Sequence, residues 1–225
     1  MPIYRLDEEL WFPDPYLGEE MGLIAVGGDL SPERLKLAYS NGFFPWFDFK
    51  KWKEPVWYCP LERFVIFPDE IHISHSMRTM MNKKEYEVTF NKAFDRVIDE
   101  CSQVDGRYHE EGAWIGPAVK KAYKEMHRLG LAESVEVWQK FEADDGEEYS
   151  ALVGGLYGIA MPTGFFGESM FSLVPSASKL ALIHLARRAK EKGWRLIDCQ
   201  YETAHLKTMG GRHISYEEYL REIRN

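Results

Sequence analysis

The chain has 225 residues, 45% of them hydrophobic and 14% aromatic, and carries a net charge of −8. This composition supplies a core for one domain, or for a larger domain carrying a small one, and excludes a disordered or fibrous chain. The negative balance argues against a general nucleic-acid binder and leaves local Lys/Arg clusters to meet any phosphate.

Residues 1–10 lack the basic segment and apolar run of a secretory signal, and no window is apolar enough to cross a bilayer. A cytoplasmic protein with no membrane partner is expected. Cys59, Cys101 and Cys199 are odd in number and widely spaced, so reduced thiols and no zinc site are expected.

In chain order, Ser31 and Pro32 open a short helix that Gly42 closes. Prolines 45, 55, 60 and 68 then punctuate an aromatic-rich stretch of loops and short strands. A domain border is placed there, near Arg63, giving a small N-terminal domain over 1–63 and a larger domain over 64–225. Beyond it, 74–81 reads as helix, 86–90 as strand, 93–101 as helix, and 117–129 as a helix stopped by Gly130.

Strands over 134–141 and 151–160 join through Asp144-Asp145-Gly146, and a third over 165–172 completes an antiparallel meander. Ser176 should cap a helix running to Lys192. Residues 194–200 then read as an apolar strand ending in polar residues. The expected class is α+β: a mixed, largely antiparallel sheet flanked by helices, compatible with an acetyltransferase-like (GNAT-type) fold. The glycine loop that would grip a pyrophosphate is missing, which disfavours a coenzyme A donor.

Three strings stand out, at 27–35, at 167–172 and, at the end of the strand over 194–200, Leu-Ile-Asp-Cys-Gln at 196–200. Period-two alternation places Asp198 and Gln200 on one face, with Ile197 and Cys199 on the other. A thiol route through Cys199 and His205 needs a turn to join them. A metal site through His72 and His75, or His109, lacks a third ligand nearby. Basic clusters at Lys50, Lys51 and Lys53, at Arg78, Lys83 and Lys84, at 120–128 and at 187–192 are candidates for phosphate contact.

Five strings in order carry a resemblance: Gly-Gly-Asp-Leu-Ser-Pro-Glu-Arg-Leu at 27–35, Gly-Phe-Phe-Pro-Trp-Phe at 42–47, Val-Gly-Gly-Leu-Tyr-Gly at 153–158, Gly-Glu-Ser-Met-Phe-Ser at 167–172, and the 196–200 string. Together they resemble the bacterial leucyl/phenylalanyl-tRNA protein transferase family over nearly the whole chain. The resemblance implies transfer of Leu or Phe, also Met, from aminoacyl-tRNA to proteins beginning with Arg or Lys, marking them for N-end rule degradation. It implies no cofactor or metal, and a monomer is the default.

By the same resemblance, Asp198 and Gln200 are the catalytic pair and Glu168 holds the acceptor. Leu156, Met170, Leu182, Leu185 and Ile197 line the donor side-chain pocket, and Trp114 and Tyr39 contact the terminal adenosine. Arg78, Lys83 and Lys84 are assigned to the tRNA backbone. The chain departs from the family pattern at Glu133, where histidine is common, at Ala113, and at His75, where arginine is common. The acidic loop over 142–150 also looks long, and it should point away from tRNA.

Overall fold

A computed structural model describes residues 3–46, 54–83, 85–104, 115–142 and 145–224. The first unit is a four-stranded sheet built from β1 (Tyr4–Leu6), β2 (Leu23–Gly27), β3 (Phe44–Pro45) and β4 (Val56–Tyr58) in the order β1-β2-β4-β3. Between β2 and β3 runs α1 (Pro32–Ser40), where Ser31 Oγ accepts the Arg34 N–H and Gly42 follows with φ +80°. A side chain at Gly42 would meet Tyr219 at 2.9 Å, so both its conformation and its space call for glycine.

The remainder of the chain begins with β5 (Glu62–Ile66). It continues through α2 (His75–Asn82), β6 (Tyr86–Phe90), α3 (Phe94–Cys101), α4 (Pro117–Arg128), β7 (Ala132–Glu142), β8 (Glu148–Met161), β9 (Gly164–Ser172) and α5 (Ala177–Lys192). It ends with β10 (Leu196–Asp198), α6 (Ala204–Thr208), β11 (Arg212–Ser215) and α7 (Tyr216–Arg224). Seven strands form one sheet in the order β11-β5-β10-β9-β8-β7-β6. β6 to β9 form the expected meander, while β10 returns parallel to β9 with α5 as the crossover. The protein is therefore α+β, with a small N-terminal sheet and a mixed, mostly antiparallel sheet flanked by helices.

The parallel pair β9–β10 is in register from Leu196–Gly164 to Asp198–Phe166 and then separates. A splay at a parallel pair inside an otherwise antiparallel sheet is what the acetyltransferase-like layout requires.

Three expectations change. Within the 142–150 stretch, Glu142 and residues 148–150 are strand rather than loop, because β7 and β8 run on as a ribbon to the Glu142–Glu148 pair, with the Phe141 and Tyr149 rings stacked 5.5 Å apart. Ser176 does not cap α5 with its side chain; it takes φ +69°, and Ser172 Oγ, from the end of β9, accepts the Ser178 N–H at 2.9 Å. The strand expected over 194–200 is β10, which stops at Asp198, two residues short of Gln200.

The core has two parts, one on each side of the large sheet. On one side Leu180, Ala181, Leu182, Leu185 and Ala189 of α5 pack on Val135, Leu156, Phe165 and Ile197. On the other, α3 and α4 share a core with α1 and the small sheet through Val97, Tyr123, Tyr39, Trp57 and Tyr219.

Candidate active site

The site lies where β9 and β10 part. The β8–β9 ladder shifts register here: Tyr157 pairs Ser169 and Gly158 pairs Gly167, which leaves Glu168 as an extra residue in a β-bulge. A bulge reverses which side chains face which side. Without it, Glu168 and Met170 would share a face; with it, Met170 joins the α5 side and Glu168 turns to Tyr39 of α1 and Tyr123 of α4. Gly158 permits this approach, since a Cβ there would lie 2.1 Å from the Phe166 carbonyl oxygen.

Glu168 lines the cleft and is half-buried. Tyr39 donates to its Oε1 at 2.5 Å, Tyr123 donates to its Oε2 at 2.9 Å, and the two hydroxyls are themselves 2.5 Å apart. Burial pushes the Glu168 carboxyl up to about 7, against the two tyrosine hydroxyls, which pull it down. Both tyrosine hydroxyls are raised well above the usual phenol range by burial and by the neighbouring carboxylate.

Asp198 is fully buried. Arg63 of β5 grips it in fork geometry, Nε to Oδ1 at 2.9 Å and Nη2 to Oδ2 at 2.8 Å, and Tyr219 of α7 donates to Oδ2 at 2.8 Å. The Arg63 guanidinium lies between the rings of Phe44 and Tyr219, 4.8 and 4.7 Å from their centroids.

Asp198 Oδ1 also accepts the Gln200 N–H at 2.9 Å, fixing that residue at φ +60°. A non-glycine residue in this region costs on the order of 1 kcal/mol, which the Asp198 anchor offsets. The alternation expected over 198–200 thus gives way to a turn. Gln200 still reaches the cleft, and its side-chain amide has no partner among the described residues.

The cleft encloses about 330 Å³. Leu156, Met170, Leu182, Leu185 and Ile197 all line it. Leu156 and Met170 are cross-strand partners, and Ser178, Leu182 and Leu185 form one stripe of α5 at i, i+4, i+7. Cys199 lines it too, but burial pushes its thiol well above the usual range, so a thiolate nucleophile is disfavoured.

Tyr39, assigned to the terminal adenosine, has no exposed surface: its ring packs on Phe166 and its hydroxyl serves Glu168. Trp114 and Lys84 lie outside the described residues, as do Lys50, Lys51, Lys53 and His109. Arg78 and Lys83 are exposed on and just after α2, with Lys83 3.3 Å from Glu85. Much of the remaining basic surface is spent on carboxylates. Arg188 and Lys192 both meet Glu133, Lys190 meets Asp69, Lys120 meets Asp99, and Arg128 meets Glu125. Glu133 is held by that double pairing.

The family model described as leucyl/phenylalanyl-tRNA protein transferase matches residues 65–224, and the model for its N-terminal domain matches 28–61. The chain belongs to the leucyl/phenylalanyl-tRNA protein transferase family. Relatives bearing that name include one from Syntrophobacter fumaroxidans, 48% identical over 98% of this chain and 89% of its own. Another, from Flavobacterium johnsoniae, is 47% identical over 97% of both chains. A third, from Syntrophus aciditrophicus, is 47% identical over the whole of this chain and 89% of its own.

Four residues of this transferase-family cleft escaped sequence reasoning. Arg63 and Tyr219 grip Asp198 from 135 and 21 residues away, and Tyr123 comes to Glu168 from 45. No local pattern announces such pairs. Trp46 stands 41% exposed at the rim beside Tyr58 and Tyr201, and its position inside the 42–47 string was an available signal.

Proposed function

We propose that this cleft joins leucine, phenylalanine or methionine, delivered by charged tRNA, to the α-amino group of a protein beginning with Arg or Lys, marking it for N-end rule degradation in the cytoplasm. The aminoacyl ester is already activated, so aminolysis runs downhill and the enzyme's task is to hold amine and carbonyl together. The protein works as a monomer with no cofactor, its 1–63 unit braced against the 64–225 unit that carries the chemistry.

The observation that supports this reading is the division of the cleft, with an apolar floor at one end and, at the splay of β9 and β10, two carboxylates and an amide that has no partner among the described residues. The floor takes the donor side chain. Its volume suits one leucine or phenylalanine side chain together with the ester, near the lower end of ligand pockets, about 300 Å³.

Trp46 at the rim, together with Trp114, offers stacking surface to the terminal adenine, and Tyr39 contributes through Glu168. Gln200 uses its side-chain amide to orient the reacting groups, with Asp198 as its anchor. Glu168, with no cationic side chain bonded to it among the described residues, receives the acceptor's positive terminus. Arg78, Lys83 and Lys84 meet tRNA phosphates.

The test is transfer of labelled leucine from Leu-tRNA to a protein beginning with Arg and to the same protein beginning with Met. Label on the Arg protein alone is expected. Binding of Leu-tRNA with no label on either would overturn the catalytic reading.

A further inference from the structure

The oxygens of Glu168, Tyr39 and Tyr123 form a closed triangle, with contacts of 2.5 Å from Tyr39 to Oε1, 2.9 Å from Tyr123 to Oε2, and 2.5 Å between the hydroxyls. Each hydroxyl carries one proton to donate, and an ionised carboxylate carries none. With Glu168 ionised, two protons serve three contacts and one short oxygen–oxygen contact has no hydrogen bond. With Glu168 protonated, Glu168 donates to Tyr123, Tyr123 to Tyr39, and Tyr39 back to Glu168, so every contact is satisfied. The geometry therefore has room for one more proton.

Asp198 is built the other way. Its four lone-pair positions are met by Arg63 Nε, Arg63 Nη2, the Tyr219 hydroxyl and the Gln200 N–H, all within 2.9 Å. It has no exposed surface and no vacant acceptor for a substrate proton.

We propose that Glu168, backed by Tyr39 and Tyr123, is the proton acceptor of the transfer reaction, while Asp198 is a positioning residue that holds Gln200. This assignment rests on the transfer reading and deepens it. The acceptor's α-ammonium gives one proton to the Glu168 carboxylate. The freed amine attacks the ester carbonyl carbon; the C–N bond forms and the bond from that carbon to the ribose oxygen breaks. The departing ribose oxygen takes the second nitrogen proton, and Glu168 returns the first to solvent. Nothing else is consumed.

The surroundings of Glu168 fit the task. Tyr39 and Tyr123 are the groups bonded to it, Asp198 and Arg63 act on it from the β10 and β5 side with opposite sign, and Tyr157 of β8 touches the Tyr123 ring. Burial outweighs the donors, setting the carboxyl at about 7, a little below an α-amine of roughly 7.7–8.0. A base so matched carries the proton at neutral pH and releases it readily.

The experiment is the pH profile of kcat/KM for an Arg-terminated acceptor, with Leu-tRNA saturating, for the wild-type enzyme, Glu168→Gln and Tyr123→Phe. The wild-type rate should fall below a midpoint of about 7. Glu168→Gln, which keeps an acceptor oxygen for the tyrosines, should lower kcat by about 100-fold and move the midpoint up to that of the acceptor amine. Tyr123→Phe removes a donor to the carboxylate and should move the midpoint upward by less. Circular dichroism and Leu-tRNA binding report whether each variant is folded.

A Glu168→Gln enzyme with raised acceptor KM but unchanged kcat and midpoint would overturn the proposal and leave Glu168 as a binding group only. Absence of transfer by the wild-type enzyme would instead overturn the reaction assignment beneath it.

Discussion

Asp198 and Glu168 reach the same cleft from neighbouring strands, but the chain has surrounded them differently. Asp198 sits at a strand end with an arginine fork, a tyrosine and a backbone N–H filling its oxygens. Glu168 sits on a bulge, partly open, with two tyrosines as its hydrogen-bond partners. A carboxylate whose acceptors are all taken is suited to hold geometry. One ringed by neutral donors, in partial burial, has a place for a proton.

The largest effect should come from breaking the first arrangement. Arg63→Met leaves Asp198 buried without its counter-charge, and loss of one member of a buried pair typically costs about 3–5 kcal/mol. Urea unfolding at neutral pH measures it. A loss below about 1 kcal/mol would mean that the pair is not buried as described.

Breaking the second should move stability the opposite way. The folded-state Glu168 value of about 7 lies above its ordinary 4.5, so between these values the native state binds more protons than the unfolded chain. Stability contributed by the protonated form is present at low pH and lost as pH rises through about 7. Glu168→Gln should therefore remove that slope and gain about 3 kcal/mol at pH 8. An unchanged slope would contradict the assignment.

Smaller effects sharpen the contrast. Tyr219→Phe removes one of four donors to Asp198 and should cost about 1–2 kcal/mol in unfolding free energy, with the pH midpoint of transfer unmoved. Cys199→Ser should change the transfer rate by no more than about twofold, since the thiol is held protonated. Loss of transfer in that variant would revive a thiol route.

The elements of the fold were legible because their periods and stops are local. Pro117 and Gly130 bracket α4, Ser31 and Gly42 bracket α1, and the 3.6- and 2-residue periods mark the helices and the meander. The apolar floor was legible only through the resemblance, since those leucines also fit ordinary packing. What stayed hidden depends on distant partners or on a break in period. Arg63 marked only a domain border until its fork met Asp198. The bulge that re-aims Glu168 is written in the fit of Gly158 against Phe166, not in the strand pattern. The turn at Gln200 defeated a period-two argument that held through Asp198.

The most direct test of the divided roles is infrared difference spectroscopy of the carboxyl C=O stretch, titrated across neutral pH in the wild-type enzyme and in Glu168→Gln. The account predicts a protonated-carboxyl band that appears in the wild type as pH falls through about 7 and is missing from the variant. A wild type with no such band, or a variant that keeps it, would contradict the assignment of the proton to Glu168.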